Sequence, residues 1–315
     1  MYYIGVDLGG TNIAAGVVDE KGNIISKTSV KTLSERDPQA VIGDMARVSL
    51  KAVADAGLTE ADIQAVGIGI PGIADNENGV VIFCTNLRWH FVKLREIFQK
   101  TFDKPIYMEN DGTVAGLAES VAGASKGCRN SIFLTLGTGL GGGIIIDSKV
   151  YSGSHHVGSE LGHMIIEIGG EACTCGNRGC WERYASATGL INMAKRAVQE
   201  APWSLILKRA GSVEGITAKI AADAAEEGDV IAKEVFDRYV KYLGTGIVSL
   251  INMFDQEVIS LGGGMAGSGE FLRSAVQREV DSHIFYKDIP HARIEIAALG
   301  NDAGIIGAAM MGRRA

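Results

Sequence analysis

Runs of Val and Ile separated by glycine or polar reversals open the 315-residue chain, at Tyr2 to Asp7, Asn12 to Asp19 and Ile24 to Val30. Gly9-Gly10 and Lys21-Gly22-Asn23 divide them, which predicts a meander rather than a βαβ unit. Asp37-Pro38 then supplies a cap and a proline for the first helical position. Val41, Met45, Val48 and Ala52 form a helical stripe that Gly57 stops. Ala65 to Ile70 reads as a strand ended by Pro71-Gly72. A helix over Leu94 to Phe102, a strand over Pro105 to Met108 and a helix over Gly112 to Val121 follow.

The second half repeats this opening in outline. Ile132 to Leu136, the turn Gly137-Thr138-Gly139, and Gly142 to Ile146 again spell strand, glycine turn, strand, with a reversal at Asp147-Ser148-Lys149. A loop with histidines and cysteines comes next. The chain then turns helical from Ala185 to Phe254, broken near Pro202 and at Gly211 to Gly215. Val258 to Leu261 enters Gly262-Gly263-Gly264, a helix spans Phe271 to Ile284, Ile294 to Ala297 is a strand, and a last helix starts at Asp302. Two α/β lobes, each a sheet flanked by helices, suit the length.

Composition narrows the class. The chain is 46% hydrophobic and 21% charged with 42 glycines, a globular profile rather than a disordered or fibrous one. Its net charge of −7, spread without long like-charge runs, argues against a nucleic-acid partner. The most apolar stretch, Ile132 to Ile146, is interrupted by glycines and nothing resembles a leader, so no membrane partner is expected and a cytoplasmic location is. Of the five cysteines, Cys173, Cys175 and Cys180 crowd together, a pattern for metal in a reducing compartment rather than for disulfides.

Asp7-Leu8-Gly9-Gly10-Thr11 lies between strands, where glycines let backbone N–H groups approach phosphate, Thr11 adds a hydroxyl and Asp7 suits a magnesium ion. Thr138 sits in the equivalent turn of the second half. Gly137, Gly139 and Gly142 also match a dinucleotide fingerprint, but strand rather than helix follows them, and no lysine follows either glycine turn to make a P-loop. Gly262-Gly263-Gly264 reads as a tight turn or, beside the other two, as a shelf for a nucleotide base. Asp111, where a strand meets a helix, is either a helix cap or a general base kept ionised by the helix end. His163 with Cys173, Cys175 and Cys180 makes a complete tetrahedral zinc set, which predicts a structural metal. Glu160 and Glu182 bracket that cluster and suit sugar hydroxyls.

These motifs, in this order, resemble the ROK family of repressors and sugar kinases, and its bacterial glucokinases in particular. The resemblance is carried by Asp7-Leu8-Gly9-Gly10-Thr11, Gly69-Ile70-Pro71-Gly72, Glu109-Asn110-Asp111, Leu136-Gly137-Thr138-Gly139, Glu160-Leu161-Gly162-His163, the cysteine knuckle with Trp181-Glu182, Leu261-Gly262-Gly263-Gly264 and Asp302-Ala303-Gly304. It implies a two-lobed actin-like ATPase (ribonuclease H-like) fold with an interlobe active-site cleft. The small lobe would span 1–121 with the C-terminal helix 302–315, and the large lobe 122–301. It implies ATP-dependent phosphorylation of a hexose at the 6-hydroxyl, and a homodimer or higher oligomer.

By the same resemblance Asp111 is the base, and Asn110, Glu160, His163 and Glu182 hold the sugar, with Gly72 and Asn86 as further contacts. Asp7, Gly9, Gly10, Thr11 and Thr138 would line the phosphates and Mg²⁺, and Gly262 and Gly263 the adenosine. Asn12 stands where many relatives carry lysine, so no phosphate role transfers there. The knuckle lacks the histidine-glycine pair common in fructokinases, which favours glucose over fructose, with N-acetylmannosamine and allose also open. A sugar-responsive repressor would need a DNA-binding segment ahead of Asp7, and a non-catalytic actin-like ATPase would not need Asp111 beside zinc-braced acids.

Overall fold

The computed structural model describes residues 1–314. Strands β1 (Tyr2–Leu8), β2 (Asn12–Asp19) and β3 (Ile24–Lys31) form the expected meander, followed by α1 (Pro38–Asp55) and β4 (Ile63–Ile70). Asp37 caps α1 by accepting the Gln39 N–H. Three short strands come next, β5 (Ile73–Asp75), β6 (Val80–Cys84) and β7 (Trp89–Val92), paired antiparallel in a small sheet of their own. At three to five residues each, with exposed Phe83 and Phe91 among them, they lack the apolar run that marks a core strand. Helix α2 (Leu94–Gln99) ends three residues short of Phe102, and β8 (Ile106–Asn110) runs straight into α3 (Asp111–Ala122).

Then come β9 (Ser131–Leu136), β10 (Leu140–Ile146), β11 (Lys149–Tyr151), and helices α4 (Glu182–Ala185), α5 (Ala187–Glu200), α6 (Leu205–Ala210), α7 (Ala218–Glu226) and α8 (Val230–Phe254). Strand β12 (Val258–Gly262), α9 (Gly269–His283), β13 (Arg293–Ile296) and α10 (Ala303–Arg314) complete the fold. It is the mixed α/β architecture expected from sequence. No helix among the described residues is long and apolar enough to cross a membrane.

The chain divides into two compact units. The first comprises 1–129, 143–159 and 298–315; residues 143–159, numbered with the large lobe on sequence grounds, cluster here. Its main sheet has the order β3-β2-β1-β4-β8, with β1, β4 and β8 parallel. Ile4, Val6 and Leu8 pack with Val41, Ile42 and Met45 of α1, while Tyr3 packs on the opposite face with Ile305 and Ala309 of α10. The period of two therefore serves two covered faces. Helix α10 lies against the sheet backbone itself: a Cβ on Gly67 would fall 1.7 Å from the Ala308 carbonyl oxygen, and one on Gly5 1.8 Å from that of Ile305.

The second unit comprises 130–142 and 160–297. The second five-stranded sheet has the order β11-β10-β9-β12-β13, with β12 parallel to both β9 and β13, and the chain passes from one unit to the other within β10. Within the second unit Trp181 is fully buried against α8, where its indole replaces the side chain that Gly246 lacks and its Nε1–H donates to the Tyr242 carbonyl at 2.8 Å. That contact sets the chain just after Cys180.

Candidate functional site

In the first unit the β1–β2 turn is fastened on both sides. The Gly9 N–H donates to the Asn12 carbonyl at 2.9 Å, and Thr32 donates its hydroxyl to the Gly9 carbonyl at 2.7 Å and its N–H to that of Thr11. Thr11 stays exposed, and Gly10 lies against Asn86, whose Cβ is 3.4 Å from where a Gly10 Cβ would stand. Asp7, at the end of β1, is partly buried, and burial raises its carboxyl above the usual range. Gly304, at the start of α10, leaves room for that carboxylate. A partly buried acid with no counter-charge beside it among the described residues is the kind of donor a divalent cation satisfies, so these residues fit Mg²⁺.

At the β8–α3 junction Asn110 is the cap. Its Oδ1 accepts from the Gly112 N–H at 2.9 Å and the Thr113 N–H at 3.4 Å, and its Nδ2 donates to the Gly72 carbonyl at 3.2 Å. The structure thereby gives Asn110 the capping role that the sequence left open for Asp111. Asp111 is the first residue of α3, and its carboxylate accepts the Gly112 N–H at 2.8 Å, at the positive end of the helix. Gly72 is required where it stands, since a Cβ would lie 2.2 Å from the Phe83 carbonyl oxygen.

In the second unit the turn Gly137-Thr138-Gly139 closes through a 3.0 Å bond from the Gly137 N–H to the Gly139 carbonyl. The start of α5 braces it, the Ala187 N–H reaching the Gly137 carbonyl and the Thr188 hydroxyl that of Thr138 at 2.7 Å. Gly262 ends β12, Gly263 follows it, and both press on β9: a Cβ on Gly263, at φ 75°, would meet the Leu136 backbone at 2.7 Å, and one on Gly262 the Phe133 ring. Close packing alone demands glycine at both.

The ligand atoms of His163, Cys173, Cys175 and Cys180 all lie within 4.8 Å of one another. Cys173 Sγ is 3.7 Å from His163 Nδ1, and Cys175 Sγ is 3.6 Å from Cys180 Sγ. Zinc bonds of about 2.3 Å to sulfur and 2.0 Å to nitrogen make tetrahedron edges of about 3.5–3.8 Å, so these two separations are compatible with a four-coordinate zinc ion. Backbone pairing prepares it, with Ile165 bridged to Cys180 and the Trp181 N–H donating to Met164. Burial, with a hydrogen bond to Glu182, pushes the Cys173 thiol up to about 12, whereas the Asn177 N–H holds exposed Cys175 below its ordinary value. Metal binding would displace those protons.

Glu182 touches two parts of this unit. Its Oε1 accepts from Cys173 Sγ at 3.0 Å, and its Oε2 stands 2.8 Å from where a Gly139 Cβ would be. The structure therefore gathers Glu182, His163 and the cysteines with the second glycine turn, while Glu160 starts the short turn Leu161–His163 and presents an exposed side chain. Asp7, Gly9, Gly10, Thr11, Asn86, Gly72, Asn110 and Asp111 belong to the first unit; Thr138, Glu160, Gly262 and Gly263 to the second. Thr32 and Thr188, which hold the two turns, escaped the sequence reading because a lone threonine far along the chain carries no local pattern.

A glycine-turn hairpin in each unit, with a carboxylate at a helix start in one and a four-ligand cluster in the other, defines a duplicated α/β protein. The ROK family model matches residues 3–315, and the chain belongs to the ROK family. It is 38% identical over 307 residues to the glucokinase of Thermotoga maritima, covering 97% of this chain and 95% of that one. Among solved structures, a ROK family glucokinase from Streptomyces griseus in complex with glucose and AMPPNP aligns with a TM-score of 0.83 at 35% identity, over 100% of both chains. A ROK hexokinase from Thermus thermophilus aligns at 0.81 and 32% identity, over 98% of this chain and 97% of that one.

Proposed function

We propose that the protein is an ATP-dependent hexokinase that phosphorylates glucose on its 6-hydroxyl. The observation that carries this reading is Asp111 at the start of α3 with capping assigned to Asn110, in a chain similar along its length to glucokinases. In the transfer, the 6-hydroxyl oxygen bonds to the γ-phosphorus as the bond to the β-phosphate oxygen breaks. ADP leaves, and Asp111 receives the hydroxyl proton. Asn110, Glu160, His163 and Glu182, with Gly72 and Asn86, hold the sugar hydroxyls. Gly9, Gly10, Thr11 and Thr138 receive the phosphates, and Gly262 and Gly263 the adenosine.

Magnesium at Asp7 would neutralise phosphate charge, and zinc on His163, Cys173, Cys175 and Cys180 would brace the loop that carries Glu182. A cytoplasmic homodimer or higher oligomer is part of the same reading. The test is sugar-dependent ADP release with glucose, mannose, fructose, allose and N-acetylmannosamine. Glucose is expected to have the highest kcat/KM; preference for another hexose would revise the substrate, and ADP release indifferent to every sugar would sink the kinase reading.

A further inference from the structure

Glu109 is the acid of the Glu109-Asn110-Asp111 run with no part in the transfer described above, and its carboxylate joins two separate segments. It is the penultimate residue of β8, entirely within the first unit. Its Oε1 accepts the Asn110 backbone N–H at 2.8 Å, and its Oε2 accepts the Ser152 hydroxyl at 2.5 Å. The second is a short bond from a hydroxyl donor to a carboxylate acceptor.

Ser152 is itself an anchor. Its carbonyl accepts the Gly158 N–H at 2.8 Å, which closes residues 152–158 into a compact loop, and Gly158 packs so tightly on Gly153 that a Cβ would lie 2.8 Å from the Gly153 nitrogen. The same loop meets the small sheet through His156, whose Nε2 is 3.9 Å from Asp75 Oδ1. Two residues beyond Gly158 the chain reaches Glu160.

We infer that Glu109 is a positioning residue: its carboxylate ties the segment presenting Asp111 to the loop 152–158 within the first unit, and that link sets where Asp111 stands. The inference rests on the kinase reading. Burial works against the ionised acid here, so space filling alone would be served better by an apolar side chain. What a carboxylate offers is two acceptor oxygens for two donors on separate segments. Asn110 then carries both ends of the junction, its N–H held by Glu109 and its side chain capping α3, and a shift of Asn110 tilts Asp111.

The test combines turnover with amide exchange. Glu109→Ala is expected to lower kcat for glucose by about 10–100-fold, as for loss of a hydrogen bond to a charged group, with KM for ATP changed by less than about twofold. Ser152→Ala should lower kcat by a smaller factor, the double variant should be no slower than Glu109→Ala, and Glu109→Gln, which can accept from Asn110 and donate to Ser152, should restore most of the rate. A merely structural role predicts a lower melting temperature with kcat per folded molecule unchanged, or losses that multiply in the double variant; either overturns the inference.

If Glu109→Ala does not fold, Ser152→Ala carries the test through hydrogen exchange. The amides of Asn110 and Gly158 should both exchange faster, and faster exchange at Gly158 alone would overturn the link. Exchange needs no turnover, so a protein that phosphorylates no sugar would defeat the kinase reading without deciding this one.

Discussion

The β8–α3 junction and the loop 160–182 present their chemistry by opposite means. At the junction, strand and helix are already fixed by sheet pairing and core packing, and Asp111 inherits its position from the Asn110 cap and from Gly72. The loop has one short turn and a few backbone bridges, so the placement of His163 and Glu182 depends on the Cys/His cluster and on Trp181 wedged against α8. A group on regular structure can be changed without disturbing its support. A group on a loop held by a side-chain cluster shares the fate of that cluster.

Asp111→Asn should produce the largest effect, lowering kcat by roughly 10²–10⁴ at an unchanged melting temperature. Turnover within a few-fold of the parent would make Asp111 a helix-end charge only. Cys175→Ser, which removes one of the four proposed zinc ligands, should weaken glucose binding on the order of 10–100-fold and lower the melting temperature together, while ATP affinity stays nearly constant. Metal analysis with calorimetry checks it; zinc lost with glucose affinity intact would place the knuckle away from the sugar and erase the contrast.

A smaller effect separates the metal from the helix behind it. Asp229 caps α8: burial raises its carboxyl, but the Leu205 and Ala232 N–H groups and the Ser204 hydroxyl outweigh that and hold it below the usual carboxylate range. A depressed folded-state pKa adds stability above the unfolded value of about 3.9 and loses it as pH falls through the folded value. Asp229→Ala should thus cost about 1 kcal/mol at neutral pH, the penalty shrinking as pH drops below about 4, with zinc content unchanged. Urea unfolding across pH reads this, and a pH-independent penalty would assign the loss to packing.

The smallest effects come from the threonines that hold the two glycine turns. Thr32→Val and Thr188→Val each remove one hydroxyl-to-carbonyl bond and should each cost about 0.5–1.5 kcal/mol. Weaker ATP binding in both variants, measured by titration with an ATP analogue, would show the turns acting alike, and an effect in one alone would break their equivalence.

Much of this was legible along the chain. The meander, the two glycine turns, the cap at Asp37 and the Cys173–Cys180 spacing each depend on residues within a few positions of one another, and each stands where the local pattern puts it. The small sheet β5–β6–β7 was not legible, because strands of three to five residues with exposed faces leave no periodic trace. Nor was the choice of Asn110 over Asp111 as cap, since adjacent Asn and Asp are equally good caps and only the exact end of β8 decides between them.

Elements, turn chemistry and the Cys/His cluster are properties of short stretches, written in apolar period, glycine placement and residue spacing, and for these the amino-acid order of this protein was sufficient. What folding alone decided are the meetings of distant segments: Gly5 and Gly67 lying under α10, Ser152 bonding Glu109, Glu182 reaching both Cys173 and the Gly139 turn, and the change of unit inside β10. Each depends on which surfaces of already formed elements pack together, a long-range choice made by shape and burial that no neighbouring residue along the chain records.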